Sequence, residues 1–277
     1  MPEDVLTENA PLDIRFSEEE LETAREEIVS FIEDTVDAAG ADGAVLGLSG
    51  GIDSTLTAYL AVEALGEEGL HGLTMPARVS DDELMSDAEA VAQSLGIPYD
   101  VIEIEPIAEQ FDKAFPEGVD DRTAAGNVRV RTRAVLNYYV ANVENRIVLG
   151  TGNRSEAMTG YFTKYGDQAV DCNPIGDLYK QQVRQLAAHV GVPHELVMQT
   201  PTAEMWAGQT DEEEMGLNYD HLDAVLALHV DGPLSKAATV RYVDGVTEDH
   251  VERVVELVER SAHKRSMPPA PGVSVRE

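Results

Sequence analysis

Short apolar runs, each bounded by glycine or a turn, alternate with longer stretches of helical periodicity through the first half of the chain. The runs are GAVLGL (43–48), LHGLTM (70–75), YDVIEI (99–104) and RIVLG (146–150). They are too short for helices and mostly lack polar alternation, which suits strands buried on both faces of a parallel sheet. Between them, Ser17 and Glu20 form a capping box before Leu21, Ala24, Ile28, Ile32 and Val36, and Gly40 ends that helix. Further helices are expected from about Asp53 to Leu65, from the Ser80 and Glu83 cap to Leu95, and from about Asp121 to Val143. Later ones fall near 176–190, 218–228 and 247–264. Such alternation predicts an α/β fold with right-handed crossovers and ligands at the carboxyl ends of the strands. SGGIDS, MPAR and GTGNRSE lie there.

No linker or internal repeat divides the 277 residues, so one domain is expected over 1–277, with 268–277 as a frayed tail after PPAPG. Asp and Glu number 52 against 20 Lys and Arg, a net charge of −32. That field repels phosphate backbones and anionic membranes, so nucleic-acid and membrane partners are disfavoured. The acids are spread over helix faces, as on a halophile's surface. Nothing approaches the roughly 18 unbroken apolar residues of a membrane span, and MPEDVLTENA has no signal-peptide pattern, so a cytoplasmic protein is expected. The single cysteine, Cys172, allows no internal disulfide or thiolate zinc site, and the 7 histidines show no HExxH.

LGLSGGIDSTLTAYL places two glycines between a buried strand and a helix start. Glycines permit close backbone approach, and the unpaired N–H groups with the positive helix end favour phosphate. The segment is neither GxxxxGK[ST] nor GxGxxG, which argues against Walker-type NTPases and dinucleotide-fold dehydrogenases.

SGGIDS resembles the pyrophosphate loop of the ATP pyrophosphatase superfamily. GTGNRSEAMTGYFTKYGD (150–167), IGDLYKQQVRQLA (175–187), TPTAEMW (200–206) and HKR (263–265) together resemble the ammonia-dependent NAD synthetases. The resemblance runs from the first helix to HKR. It implies a single Rossmann-like domain of the adenine nucleotide alpha hydrolase type: a mostly parallel five-stranded sheet with helices on both faces.

The activity implied is amidation of deamido-NAD. Its carboxylate attacks the α-phosphorus of ATP, pyrophosphate leaves, and ammonia displaces AMP from the acyl-adenylate. By resemblance, Ser49, Gly50, Gly51 and Ser54 hold the pyrophosphate, and Asp53 and Glu156 bind magnesium, an ion suited to hard oxygen ligands. Lys180, one of few lysines, is matched to a phosphate contact and joins Asp53 and Glu156 as catalytic. Thr151 and Thr202 are assigned to phosphate or ribose, and Arg78 to adenosine. Deamido-NAD falls to Asn127, Arg131, Phe162, Lys164, Asp167, His263 and Lys264, whose types suit a pyridine, a diphosphate and ribose hydroxyls. The family's site lies across a homodimer interface, so a homodimer is implied. AGQTDEEEMG, within 203–218, corresponds to a mobile loop over the site.

Glutamine hydrolysis needs a cysteine nucleophile with a base. Cys172 in DCNPIG has no plausible base nearby, which favours free ammonia; a separate glutaminase subunit remains open. The alternatives are another synthetase of the same superfamily, such as a GMP-forming one, and a non-catalytic nucleotide-binding protein.

Overall fold

The computed structural model describes residues 5–7, 9–77, 82–201 and 211–271. Helix α1 (Glu18–Ala39) starts at the expected capping box, and Gly40 closes it in the left-handed conformation. Leu21, Ile28, Ile32 and Val36 are its buried residues. The core alternation follows as expected: β1 (Ala44–Leu48), α2 (Ile52–Leu65), β2 (Leu70–Thr74), α3 (Asp82–Leu95) and β3 (Tyr99–Val101). Next come α4 (Glu105–Ala114), α5 (Arg122–Glu144), β4 (Ile147–Leu149), α6 (Arg154–Thr159) and α7 (Lys180–His189). The chain continues through α8 (His194–Val197), α9 (Asp211–Met215), α10 (Tyr219–Val225), α11 (Lys236–Tyr242) and α12 (Glu248–Ser261).

The strands lie in the order β3-β2-β1-β4, and every pair is parallel. Ala44 of β1 stands opposite both Leu70 and Ile147. Five strands were expected, and the described residues form 4. Beside β4 the fifth position holds a single parallel bridge, Leu149 to Cys172. The Asp171 carboxylate accepts the Val148 N–H at 2.7 Å, where a fifth strand's carbonyl would otherwise bond. Pro174, which has no N–H, follows within two residues and stops the ladder from growing.

Other boundaries differ as well. β3 ends at Val101, although Ile102 and Ile104 still donate to the carbonyls of Thr74 and Pro76. The helix expected from 176 begins only at Lys180, after a turn through Gly176. α10 passes into one wider π turn over Leu226–Val230. Helices α4, α6, α8, α9 and α11 were not anticipated. The Ser80 cap falls outside the described residues, and of the expected tail, 268–271 are exposed and carry no element.

Alternation along β1 covers the sheet on both faces. Ala44, Leu46 and Leu48 pack with buried residues of α1, α2, α3 and α7. Val45 packs on the other side with Leu73, Val148 and Ala141 of α5. A third cluster gathers Tyr219 and Leu222 of α10, Val251 and Val254 of α12, and Tyr179 just before α7. Each fully buried Leu or Val side chain contributes roughly 1.5–3 kcal/mol. The packing therefore anchors α6, α7 and α10, whose ends meet beside the carboxyl edge of the sheet.

Candidate active site

The SGGIDS turn follows β1 and opens α2. Gly50 adopts φ +84°, which a side chain would strain. Gly51 is the N-cap of α2, and no side chain caps the helix there. Within the turn, the Ser49 and Ser54 hydroxyls lie 3.0 Å apart, Gly51 N–H donates to Ser49 Oγ, and Ser54 Oγ donates to the Gly51 carbonyl. The loop is thus held by its own hydroxyls, and no side chain caps the helix N-terminus, an arrangement able to accept an anion.

Three chain segments bring charge to this point. Asp53 stands in the first turn of α2. Its Oδ1 accepts a bond from Asn153 Nδ2 at 2.8 Å, and its Oδ2 pairs with Lys180 Nζ. Glu156 Oε1 lies 3.7 Å from the same ammonium. Glu156 is itself held by a capping box in which Asn153 caps α6 and Glu156 returns to the Asn153 N–H. Lys180 is only 2% exposed and lies 5.2 Å from the centre of the Tyr219 ring. Burial works against its charge, but the carboxylates of Asp53 and Glu156 outweigh that and hold its pKa above the ordinary value. For Glu156, burial first and the Asp53 charge second push the carboxyl well above the usual range. Two carboxyl groups therefore share one lysine, and a further cation would relieve the repulsion that raises Glu156. That donor set fits magnesium, which takes one or two carboxylates and completes its shell with phosphate oxygens and water.

One cavity of ≈ 550 Å³ joins this cluster to the second group of expected residues. Ser49, Gly51, Asp53, Ser54, Thr151, Glu156 and Lys180 line it at one end. Asn127, Phe162, Asp167 and Lys264 line it as well. Asp167 accepts the Thr163 N–H at 2.8 Å, and Asn127 Oδ1 accepts the Thr163 hydroxyl at 2.8 Å. Burial raises the Asp167 carboxyl to about 6, against the bond from Thr163 and the charge of Lys264.

The basic residues at this end are occupied by main-chain oxygens. Lys264 Nζ donates to the carbonyls of Gly160 and Phe162 at 2.7 and 2.6 Å and lies over the Phe162 ring. Lys164 Nζ donates to the His263 carbonyl, and the Arg131 guanidinium to the Lys164 carbonyl. Lys164, Arg131 and His263 do not line the cavity; Arg131 lines a shallow neighbouring hollow with Tyr139 and Tyr165. Gly160, at φ +71°, lets α12 close on this loop, since a Cβ would stand 2.1 Å from that of Ser261. Arg78 and Thr202 lie outside the described residues, as does 203–210 of the expected loop.

Several residues at the site were not singled out from the sequence. Asn153 could have been, because NRSE carries the N-cap and third-position acid of a capping box. Ser155, Asp211, Tyr219 and Asp223 had no such local signal. Asp211 lines the cavity, and its Oδ2 accepts the Tyr219 hydroxyl at 2.9 Å. At Cys172, burial and then Asp171 raise the thiol to about 11, an environment opposed to a thiolate nucleophile.

Comparison with known proteins agrees with the geometry. Residues 24–268 match the family model described as NAD synthase. The chain is 61% identical over 262 residues to the NH(3)-dependent NAD(+) synthetase of Halobacterium salinarum, covering 95% of this chain and 97% of that one. It is 49% identical over 245 residues to that of Archaeoglobus fulgidus, covering 88% and 94%. Among solved structures, NMN synthetase from Francisella tularensis has a TM-score of 0.80 at 34% identity, covering 93% of this chain and 100% of that one. The NH3-dependent NAD synthetase from Campylobacter jejuni, in complex with the nitrate ion, has a TM-score of 0.75 at 29% identity, covering 90% and 98%.

Proposed function

The chain belongs to the NAD synthase family, and on that premise we propose that its cavity adenylates deamido-NAD and then aminates it. It is a ligase, and the activity is ammonia-dependent synthesis of NAD. The nicotinate carboxylate oxygen bonds to the α-phosphorus of ATP while the bond to the pyrophosphate oxygen breaks. Ammonia then bonds to the activated carbonyl carbon, AMP leaves with the bridging oxygen, and the surplus proton passes to solvent.

The observation that carries this reading is Lys180 enclosed between Asp53 and Glu156 at the mouth of the Ser49–Ser54 loop, in one cavity with Phe162 and Asp167. The backbone N–H groups at the start of α2 and the Ser49 and Ser54 hydroxyls hold the leaving pyrophosphate. Lys180, itself buried, balances its charge where the surroundings screen poorly, so such a contact is strong. Asp53 and Glu156 would hold magnesium, which would supply positive charge to offset that of the phosphates. Phe162 offers a face to the pyridine, and Asp167 and Asn127 accept or donate to ribose hydroxyls. Lys264 and Lys164 act chiefly by holding the loop that presents Phe162 and Asp167.

A homodimer is supported by α5, which exposes Val135, Tyr139 and Val143 at four-residue spacing, one apolar stripe beside Arg131 and Tyr165. Sedimentation of the purified chain should give twice the monomer mass, and Tyr139→Glu should halve it. The acid-rich surface supports a protein that works in concentrated salt.

The decisive assay supplies purified protein with ATP, magnesium, deamido-NAD and ammonium in high KCl. NAD and AMP should form in equal amounts. Parallel arms replace deamido-NAD by its mononucleotide counterpart or by xanthosine monophosphate; turnover faster with either would overturn the substrate assignment. Glutamine in place of ammonium should give no product, and Cys172→Ser should leave the ammonia reaction unchanged.

A further inference from the structure

A closed polar triangle lies directly behind the Asp53, Lys180 and Glu156 cluster, and no atom of it lines the cavity. Asp223 of α10 is 0% exposed, as is Ser155, and Gln181 is 2% exposed. The Ser155 hydroxyl donates to Asp223 Oδ1 and accepts the Lys180 N–H at 3.0 Å. The Gln181 N–H donates to Asp223 Oδ2 at 2.9 Å. Gln181 Nε2 also donates to the Asp220 carbonyl at 3.1 Å, so α7 and α10 are tied twice.

Lys180 and Gln181 are the first two residues of α7, and their N–H groups have no partner within the helix. Asp223 and Ser155 satisfy both from other helices, as an N-cap would locally. Ser155 immediately precedes Glu156, and Gln181 immediately follows Lys180. One buried carboxylate thereby joins the main chain that carries the lysine to the main chain that carries the glutamate. Burial costs that carboxylate heavily, whereas an apolar side chain would fill the space without the cost but leave a buried N–H and a buried hydroxyl unpaired.

We propose that Asp223 is a positioning residue for adenylation: through Ser155 and Gln181 it fixes the separation of Glu156 and Lys180. This rests on the reading that Lys180 and Glu156 act on ATP. It also explains why α7 begins at Lys180, with the ammonium directed to Asp53 and Glu156. A displacement of about 1 Å in such a cluster costs up to roughly a hundredfold in rate.

The test measures pyrophosphate release and thermal unfolding for Asp223→Asn, Ser155→Ala and the double variant, well below their unfolding midpoints and with Lys180→Met alongside. Asn keeps the shape but cannot accept both donors. Asp223→Asn should lose at least about tenfold in kcat with KM for ATP within about threefold, and Ser155→Ala should lose less in the same direction. The double variant should be no slower than Asp223→Asn, since the residues act as one unit. Near-native kcat in the folded single variants, or losses that multiply in the double, would overturn the proposal. Should Asp223→Asn not fold, Ser155→Ala decides, because it leaves the bond from Gln181 to Asp223 in place. Full turnover by Lys180→Met would instead overturn the site reading on which the proposal rests.

Discussion

Lys180 and Lys264 line the same cavity, and their surroundings are opposite in kind. Lys180 is enclosed by two carboxylates, a tyrosine ring and the start of a helix. Lys264 is half-buried, and its ammonium is spent on two carbonyl oxygens of the 160–162 turn. Burial lowers the pKa of Lys264, whereas at Lys180 the neighbouring carboxylates reverse that effect. On the proposed reading, a lysine facing carboxylates would meet phosphate when substrate arrives, because those carboxylates would hold the metal ion. A lysine bonded to carbonyls stays where it is, because those oxygens would otherwise be buried without partners. The proposed roles differ accordingly: the first is placed to meet phosphate, and the second ties down the 160–162 turn.

The sharpest way to break this contrast is Lys180→Met. Pyrophosphate release should fall by at least about a hundredfold at every KCl concentration, since screening cannot replace a direct contact. Deamido-NAD binding, followed by titration without ATP, should hardly change. Recovery of turnover in strong salt would place Lys180 among the general surface charges instead.

Lys264→Met should act in the opposite sense. Two carbonyls lose their donor, at about 1–3 kcal/mol each, so the unfolding midpoint should drop and KM for deamido-NAD should rise roughly tenfold. Its kcat should stay near that of the parent chain. A kcat loss equal to that of Lys180→Met would erase the distinction between the two ends.

Asp167 sharpens the contrast through pH. Its folded carboxyl titrates near 6, above the ordinary value of 3.8, because of burial. The folded chain therefore takes up this proton first as pH falls. The stability that Asp167 contributes is fully present below about 3.8 and is lost as pH rises through about 6. Dinucleotide binding should run the other way, with KM for deamido-NAD rising as pH falls through 6 and the carboxylate is neutralised. The difference between the parent and Asp167→Asn isolates this effect from the other acids. A KM profile unaltered by the substitution would remove Asp167 from the ribose contacts.

The smallest effect is expected at Lys164, whose ammonium bonds an exposed carbonyl at the rim. Lys164→Ala should shift KM by no more than about threefold, in keeping with the 0–1 kcal/mol typical of exposed charged contacts.

Much of the framework was legible because it is local. The α1 capping box, the glycine at its end and the apolar runs of β1, β2 and β4 each follow from neighbours within a few residues. SGGIDS could be read as a candidate anion site for the same reason, and the resemblance of NRSE, FTKYGD and DLYK supplied candidate residues. The five-strand expectation failed at Asp171, where a side chain took the N–H that a strand would have used. Asp223 gave no signal, as an acid in an amphipathic helix of a chain holding 52 acids looks like a solvated one.

Sequence by itself determined the alternation of strand and helix and the glycine-rich turn after β1, and it singled out Asp53, Glu156 and Lys180, which the fold brings together. Tertiary structure alone decided what each charge faces. Lys180 meets Asp53 across 127 positions, Lys264 meets Gly160 across 104, and Gln181 meets Asp223 across 42. Periodicity and caps act over a turn or two of chain, whereas a charged group's energy depends on the few ångströms around its end atoms, and only the packing of the helices brings those partners there.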